Sequence, residues 1–264
     1  MGVDLFTTAH VTLHEGGGNV SGFIDSHPEE STKLVVRAVE KTLEHYGYQS
    51  KFSGEVVTSS NIPPAVGLKS SSAAVNATTL ATMAALAEDI DDDLAISLGI
   101  DASLESGVSL TGGFDDSFAS YYGGAVLTDN ELRKVTKQIK ISEGLQILIL
   151  VPSKKTYTGS LDRARFSSIR RLGELAYREA LDGHVWEALT LNGLAYGSVL
   201  GEDPKPVLAA LDAGALGGGL SGKGPAVVAV VEEENVERVR KAWERFQGRV
   251  IASSPNFNKA VIQE

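Results

Sequence analysis

The stretch PPAVGLKSSSAAVNATTLATMAALAED, residues 63–89, sets three adjacent serines behind a glycine and a lysine, just ahead of one of the most helix-prone runs in the chain. Serine is a mediocre helix residue because its hydroxyl competes for backbone hydrogen bonds. At a helix start the same residues make sense, since the first N–H groups are unpaired and carry a partial positive charge that attracts anions. Gly67 lets a backbone approach a phosphate closely. Lys69 adds a full positive charge, and the hydroxyls of Ser70, Ser71 and Ser72 can bond phosphate oxygens or enter a magnesium shell. The alternative is an ordinary serine-capped core helix whose alanines (Ala73, Ala77, Ala81, Ala84) permit close packing. Spacing alone leaves both open.

Two further loops pose the same choice. In ESGVSLTGGFDDSFASYYGG, residues 105–124, Glu105 and Asp116 are separated by a glycine-rich turn and Asp115 adjoins Asp116. Acidic groups entering a site with ATP can hold magnesium or orient an attacking hydroxyl; equally, the two aspartates can cap the short helix that follows. GALGGGLSGKGPAVVAV, residues 214–230, nearly spells a Walker A loop with Gly217, Gly222 and Lys223. That reading fails, because Gly224 stands where Ser or Thr is needed and Pro225 opens a strand where a helix is required. So many glycines exceed what packing a tight turn needs, which points to close backbone approach to a ligand.

Bulk properties exclude several classes. The chain has 264 residues, 42% hydrophobic and 22% charged, as in a water-soluble globular protein. A net charge of −10 argues against a nucleic-acid binder, which needs a basic face. No apolar run approaches the roughly 20 residues of a membrane helix. MGVDLFTTAH lacks the basic start and apolar core of a signal peptide. Cysteine is absent, which excludes disulfides and thiolate metal sites and is compatible with a cytoplasmic location. His10 and His14, four apart on an expected strand, would stand about 13 Å from one another, too far to share a metal. Lys154, Lys155, Arg163, Arg165, Arg170 and Arg171 could meet an anionic substrate or form a solvated face, and Asn192 interrupts an otherwise apolar helix.

Periodicity predicts strands over 3–13 and 18–25, joined as a hairpin by the turn EGGG, and a helix capped by Ser31 and ending near Gly47. A strand over 52–59 and helices over 70–88 and 91–104 follow, the last with Asp91–Asp93 at its dipole-favoured start. A short helix and a strand near 124–128 come next. LQILILV, 145–151, reads as a buried strand. Helices over 166–182, 184–200 and 205–213, the strand PAVVAVV, an amphipathic helix with Val236, Val239, Trp243 and Phe246 on one face, and the strand RVIAS complete an α+β chain. The strands and helices regroup near residue 150, which predicts lobes over 1–150 and 151–264.

Together, in this order and spacing, the three loops resemble the GHMP small-molecule kinases. Pro63-x-x-x-Gly67-Leu68-x-Ser70-Ser71 matches their phosphate loop, and GLSGKGPAVVAV their C-terminal glycine loop. GLKSSSAAVNA, TGGFDDSFASYYGGAVLTDN, VPSKK, WEALTLNGLAYG and AGALGGGLSGKGPAVVAVV resemble the archaeal shikimate kinase family in particular, from about Gly2 to Ala229. The resemblance implies a two-lobed fold, with an N-terminal lobe like domain 2 of ribosomal protein S5 and a ferredoxin-like C-terminal lobe. It implies transfer of phosphate from ATP, with Mg2+, to the 3-hydroxyl of shikimate. Pro63, Gly67, Leu68, Lys69, Ser70, Ser71 and Ser72 would cradle the ATP phosphates, and Ser71 and Glu105 would hold magnesium. Asp116, with Asp115 as its rival, would orient or deprotonate the hydroxyl beside Lys69. Gly219, Ser221, Gly222 and Gly224 would close over the reacting groups. Homoserine kinase is the neighbouring alternative. Oligomeric state and the groups gripping the shikimate carboxylate have no sequence signal.

The family begins with a strand and a glycine-containing loop ahead of the segment matching Gly2-Val3-Asp4-Leu5. Here Met1 directly precedes that segment, so this strand and loop are expected to be missing. Either the start is set too late and the natural protein is longer, or the sheet edge is unpaired and the chain is a nucleotide-binding relative without transferase activity.

Overall fold

The computed structural model describes residues 1–109, 111–153 and 163–263. The first sheet holds β1 (Thr7–Glu15), β2 (Val20–Ile24) and β3 (Phe52–Ser60) in the order β1-β3-β2. β1 runs antiparallel to β3, with Val11 opposite Val56, and β2 runs parallel to it. The expected hairpin of β1 and β2 therefore does not form. The N–H groups of Gly16 and Gly17 both donate to the Lys51 carbonyl (2.9 and 3.1 Å), closing the EGGG turn onto the start of β3. The helix α1 (Lys33–His45) then makes the crossover that parallel pairing of β2 with β3 requires.

Leu34, Val35, Ala38, Val39 and Leu43 of α1 are buried, as their spacing predicts, and Gly47 ends the turn at φ 72°. Ser31 is not its cap: Thr32 occupies that position, and the Ser31 hydroxyl only accepts from the Lys33 N–H at 3.4 Å. The central helix α2 (Ser70–Ala85) packs on α1, on α3 (Asp92–Glu105) and on β1. It buries Val75 and Met83 but also Thr78, Thr79 and Thr82. Thr79 and Thr82 return their hydroxyls to the carbonyls of Val75 and Thr78, which makes them tolerable in a core. Asp91 caps α3, its carboxylate accepting from the Leu94 N–H at 3.0 Å. After α4 (Phe114–Tyr122) comes a hairpin of β4 (Ala125–Asp129) and β5 (Lys134–Ile139). The sequence gives little sign of β5, because Lys137 interrupts the apolar alternation of Val135 and Ile139 on its half-buried side.

The second sheet is antiparallel, in the order β7 (Gly217–Leu220), β8 (Val227–Glu232), β6 (Leu145–Val151), β9 (Arg249–Ser253). The helices α5 (Arg170–Asp182), α6 (Val185–Leu200) and α7 (Lys205–Asp212) join β6 to β7, and α8 (Val236–Trp243) joins β8 to β9. This is the expected ferredoxin-like connection. Central β6 is covered on both faces, which is why its apolar run is continuous from Ile147 to Val151. Leu148 packs with Val207, Val239 and Trp243 on one side, and Ile147 and Ile149 pack with Val66 and Val230 on the other. Each such aliphatic side chain contributes about 1.5–3 kcal/mol on burial. The Trp243 indole N–H donates to the Pro206 carbonyl at 2.8 Å.

Because β6 belongs to this sheet, the strands regroup in the loop 140–144, ahead of the expected boundary near 150. Beyond β9 the chain returns to the first lobe. Val3 bridges to Pro255, the Ala260 N–H donates to the Tyr121 carbonyl at 2.6 Å, and Lys259 pairs with Asp92 at 2.5 Å. Among the described residues no helix is long and apolar enough to cross a membrane.

Candidate functional site

A cleft of about 980 Å3 lies where the two lobes meet, lined by Leu68, Lys69, Ala73, Asp115 and Asp116 from the first lobe and by Ile147, Ser221, Gly222 and Val228 from the second. At its mouth the loop between β3 and α2 meets the loop between β7 and β8. Gly67 sits at φ 90°, and a Cβ there would fall 2.0 Å from the Ser221 carbonyl oxygen. Only glycine allows this approach. The Ser221 hydroxyl donates to the Gly67 carbonyl at 2.9 Å, and the Ala226 N–H donates to the Val66 carbonyl at 3.1 Å. The two glycine loops singled out from the sequence are thus stitched directly to each other.

The helix α2 starts from Lys69 in the left-handed conformation (φ 62°), with no side chain capping it. Ser70 and Ser71 are half-buried and Ser72 is 9% exposed. No hydrogen bond engages their hydroxyls among the described residues; the Ser72 and Ala73 N–H groups donate to the Lys69 carbonyl (3.1 and 3.2 Å), and a helix start of this kind can attract an anion. Pro63 is buried and does not line the cleft.

Lys69 turns back across the cleft. Its Nζ lies 2.5 Å from Asp116 Oδ2, and a Cβ on Gly222 (φ 54°) would meet its Cε at 2.3 Å. Asp116 stands in the first turn of α4, with its side chain 19% exposed. Burial pushes the Asp116 carboxyl above the ordinary range; the Lys69 ammonium pulls it back and neighbouring Asp115 pushes it up. Asp115 has a different partner. Its N–H donates to Asn130 Oδ1 (3.0 Å) and its Oδ1 accepts from Asn130 Nδ2 (2.8 Å). Of the two aspartates, Asp116 is the one paired with the lysine. A carboxylate beside an ammonium at an anion-binding helix start can align a hydroxyl for attack on a bound phosphate.

Two expected site residues, Glu105 and Gly219, do not line the cleft. Glu105 is not brought into the cleft: its carboxylate, 39% exposed at the end of α3, pairs with Arg37 at 2.6 Å and with Lys41. Those cations hold its carboxyl below the ordinary range. Among the described residues no cluster of three His, Cys, Asp or Glu could hold a metal ion. The pair Ser71 and Glu105 therefore does not fit a magnesium site in this structure, since the carboxylate is already neutralised by two cations. Gly219 is a strand residue buried against α6, where a Cβ on Gly193 would lie 2.4 Å from the Gly219 Cα. A Cβ on Gly217, two residues earlier, would lie 2.7 Å from the Trp186 carbonyl oxygen. Packing does account for these glycines, contrary to the sequence reading. Ser221 spends its hydroxyl on Gly67, while Gly222 and Gly224 (φ 68°) remain in the turn at the cleft mouth.

Lys154 and Lys155 lie outside the described residues, as do the side chains of Arg163 and Arg165. Arg170 is 82% exposed and pairs with Glu174; Arg171 and Asn192 are exposed as well. His10 and His14 face solvent from β1. Two residues escaped sequence reasoning: Asn130, in the turn between β4 and β5, and Asn76, a lone amide inside an alanine- and threonine-rich helix.

The chain matches the model for the GHMP kinases N terminal domain over residues 33–124 and that for the GHMP kinases C terminal domain over 162–249. It is 41% identical over 262 residues to the shikimate kinase of Methanosarcina acetivorans, covering 98% of this chain and 88% of the relative. It is 38% identical over 250 residues to the shikimate kinase of Halobacterium salinarum, covering 94% and 86%. Among solved structures it resembles the mevalonate kinase of Methanococcus jannaschii (TM-score 0.74, 19% identity, 96% of this chain and 90% of that one). It also resembles a homoserine kinase from Cytophaga hutchinsonii (TM-score 0.71, 19% identity, 94% and 85%). At such identities these two speak for the fold alone.

Proposed function

Because the chain belongs to the GHMP kinases, and within them to the family of these shikimate kinases, we propose that it transfers the γ-phosphoryl group of ATP to the 3-hydroxyl of shikimate. The observation that carries the chemistry is the Lys69–Asp116 pair at the uncapped start of α2. The acceptor rests on the relatives, of which the chain covers 88% and 86% in the two cases above. A cytoplasmic location goes with ATP as co-substrate.

Phosphoryl transfer asks for positioning and charge neutralisation more than for covalent help. The first-turn N–H groups of α2 and the hydroxyls of Ser70 and Ser71 hold the phosphates, brought in as the magnesium complex of ATP. Gly67, Gly222 and Gly224 let the backbone close around them. Asp116 accepts a hydrogen bond from the acceptor hydroxyl and aligns its oxygen with the γ-phosphorus. The new P–O bond forms as the bond to the ADP oxygen breaks, and the hydroxyl proton passes to Asp116. Lys69, released from Asp116 toward the phosphates, offsets the charge that builds on the transferring group.

ADP release with Mg-ATP and shikimate, homoserine or no acceptor tests the reading. Turnover that requires shikimate and is lost in Asp116→Asn is expected. Turnover with homoserine alone overturns the acceptor, and no turnover from a folded chain overturns the activity.

A further inference from the structure

We propose that Asn130, assisted by Asn76, is a positioning residue that sets the carboxylate of Asp116 against Lys69. The inference rests on the kinase reading above and assigns a role to two amides that touch neither phosphate nor acceptor in it.

The helix that carries Asp116 is poorly fixed by its own sequence. α4 has nine residues, enters from two consecutive left-handed glycines (Gly112 at φ 80°, Gly113 at φ 62°), and has no capping side chain. A start of that kind gains little from the helix itself and depends on outside anchors. Two anchors bracket Asp116 in sequence. On one side Asn130 holds Asp115 at both backbone and side chain, and its Oδ1 is in turn fixed by the Thr128 hydroxyl at 3.0 Å. On the other side Asn76, 2% exposed on α2, donates to the Ser117 carbonyl at 2.8 Å and to the Ser120 hydroxyl at 2.7 Å. Asn76 therefore ties the Asp116 helix to the helix that begins at Lys69.

Asn130 is itself held. It sits in the turn between β4 and β5, and Arg133 of that turn pairs with Asp101 (2.8 Å) and bonds Ser97 (3.2 Å) on α3. Asp116 has Lys69 as its hydrogen-bond partner. The geometry of the pair is thus set by its flanks. By engaging Asp115 on both oxygen and nitrogen, Asn130 also keeps the neighbouring carboxylate from competing for Lys69.

The test is Asn130→Ala, at a half-buried turn position, read by steady-state kinetics and by a crystal structure of the variant. If the variant does not fold, Thr128→Val, which removes the hydroxyl that fixes Asn130, is read in the same way. Expected is a fall in kcat of about tenfold or more with KM for ATP changed less than about twofold, as for a misplaced catalytic group. In the variant crystal the Asp116 carboxylate should have moved beyond the roughly 4 Å of an ion pair with Lys69. The inference is overturned by an undisturbed Lys69–Asp116 pair, by an unchanged kcat, or by kcat and KM for ATP worsening together as in a general loosening. If the unaltered chain does not phosphorylate shikimate, the kinase reading fails and the crystal structure alone decides the positioning role.

Discussion

The Ser221 hydroxyl donates a 2.9 Å hydrogen bond to the carbonyl of Gly67, joining loops 154 residues apart in sequence. The bond spans the two lobes at the mouth of the cleft, so it fixes one glycine loop against the other. A neutral hydrogen bond of this kind contributes about 0.5–1.5 kcal/mol. Ser221→Ala should therefore raise KM for ATP by roughly three- to tenfold with a small loss of stability. Gly67→Ala, with its Cβ driven against the Ser221 carbonyl, should abolish ATP binding measured by calorimetry. An unchanged ATP affinity in both variants would mean that the loops do not act together.

Asp116→Asn separates activity from stability. Removing a general base typically costs about 10²–10⁴ in rate. The folded protein raises the carboxyl above its ordinary value, so the fold favours the protonated form. The associated stability is present at low pH and lost as pH rises through the folded value. The amide removes that cost, so the variant should melt higher than the parent at pH 7. The gain should vanish below about pH 4, where the parent carboxyl is protonated in both states. A variant that melts lower at pH 7 would show that the Lys69 pair outweighs burial.

Glu105→Gln tests the correction at the expected metal ligand. Glu105 is 39% exposed, so solvent screens its pairs with Arg37 and Lys41 and breaking them should cost no more than about 1 kcal/mol. Because the carboxyl is held low, its stabilisation is present at neutral pH and lost as pH falls, and the variant should lose less stability on acidification than the parent. The magnesium concentration for half-maximal activity should not move. A large increase would mean that Glu105 leaves Arg37 and Lys41 for the metal when the nucleotide binds.

Gly193→Ala and Gly197→Ala form a matched pair on α6. The first Cβ would lie 2.4 Å from the Gly219 Cα, a backbone contact that cannot yield without moving β7. Overpacking of this kind costs about 1–3 kcal/mol. The second would lie 3.6 Å from a Leu220 methyl, an ordinary contact. There the helix gain of alanine over glycine, about 1 kcal/mol, should show in full. Thermal melts should move in opposite directions; equal shifts would mean that α6 does not rest on the glycine strand.

Local sequence was a good guide wherever the deciding interaction is local. Leu34, Val35, Ala38, Val39 and Leu43 share one face of α1 because 3.6 residues make a turn, and that face is the buried one. Asp91 caps α3 because its oxygen reaches an N–H three residues ahead. The unbroken run Ile147–Val151 reports a strand covered on both faces, although it does not say by which sheet. The helix start itself is equally local: the run from Ser70 begins α2 where the alanine- and threonine-rich pattern places it.

Pairing and partnership were decided only in three dimensions. β1 and β2 carry the alternation of a hairpin, yet each pairs with β3, since alternation records which face is buried and not which strand lies alongside. Glu105 has the expected spacing from Asp116, but two cations on α1 reach its carboxylate. The glycines of β7 look like ligand glycines and serve a helix, because a missing side chain admits a peptide backbone as readily as a phosphate. The sequence by itself determined the helices, the strands other than β5 and β7, the three loops and the family. The tertiary structure decided that Asp116 pairs with Lys69, that Asn130 bonds Asp115 and Asn76 bonds the Ser117 carbonyl on either side of it, and that Ser221 closes on Gly67. Those contacts join residues 47, 15, 41 and 154 positions apart, and no periodicity within one element encodes a hydrogen bond made across two.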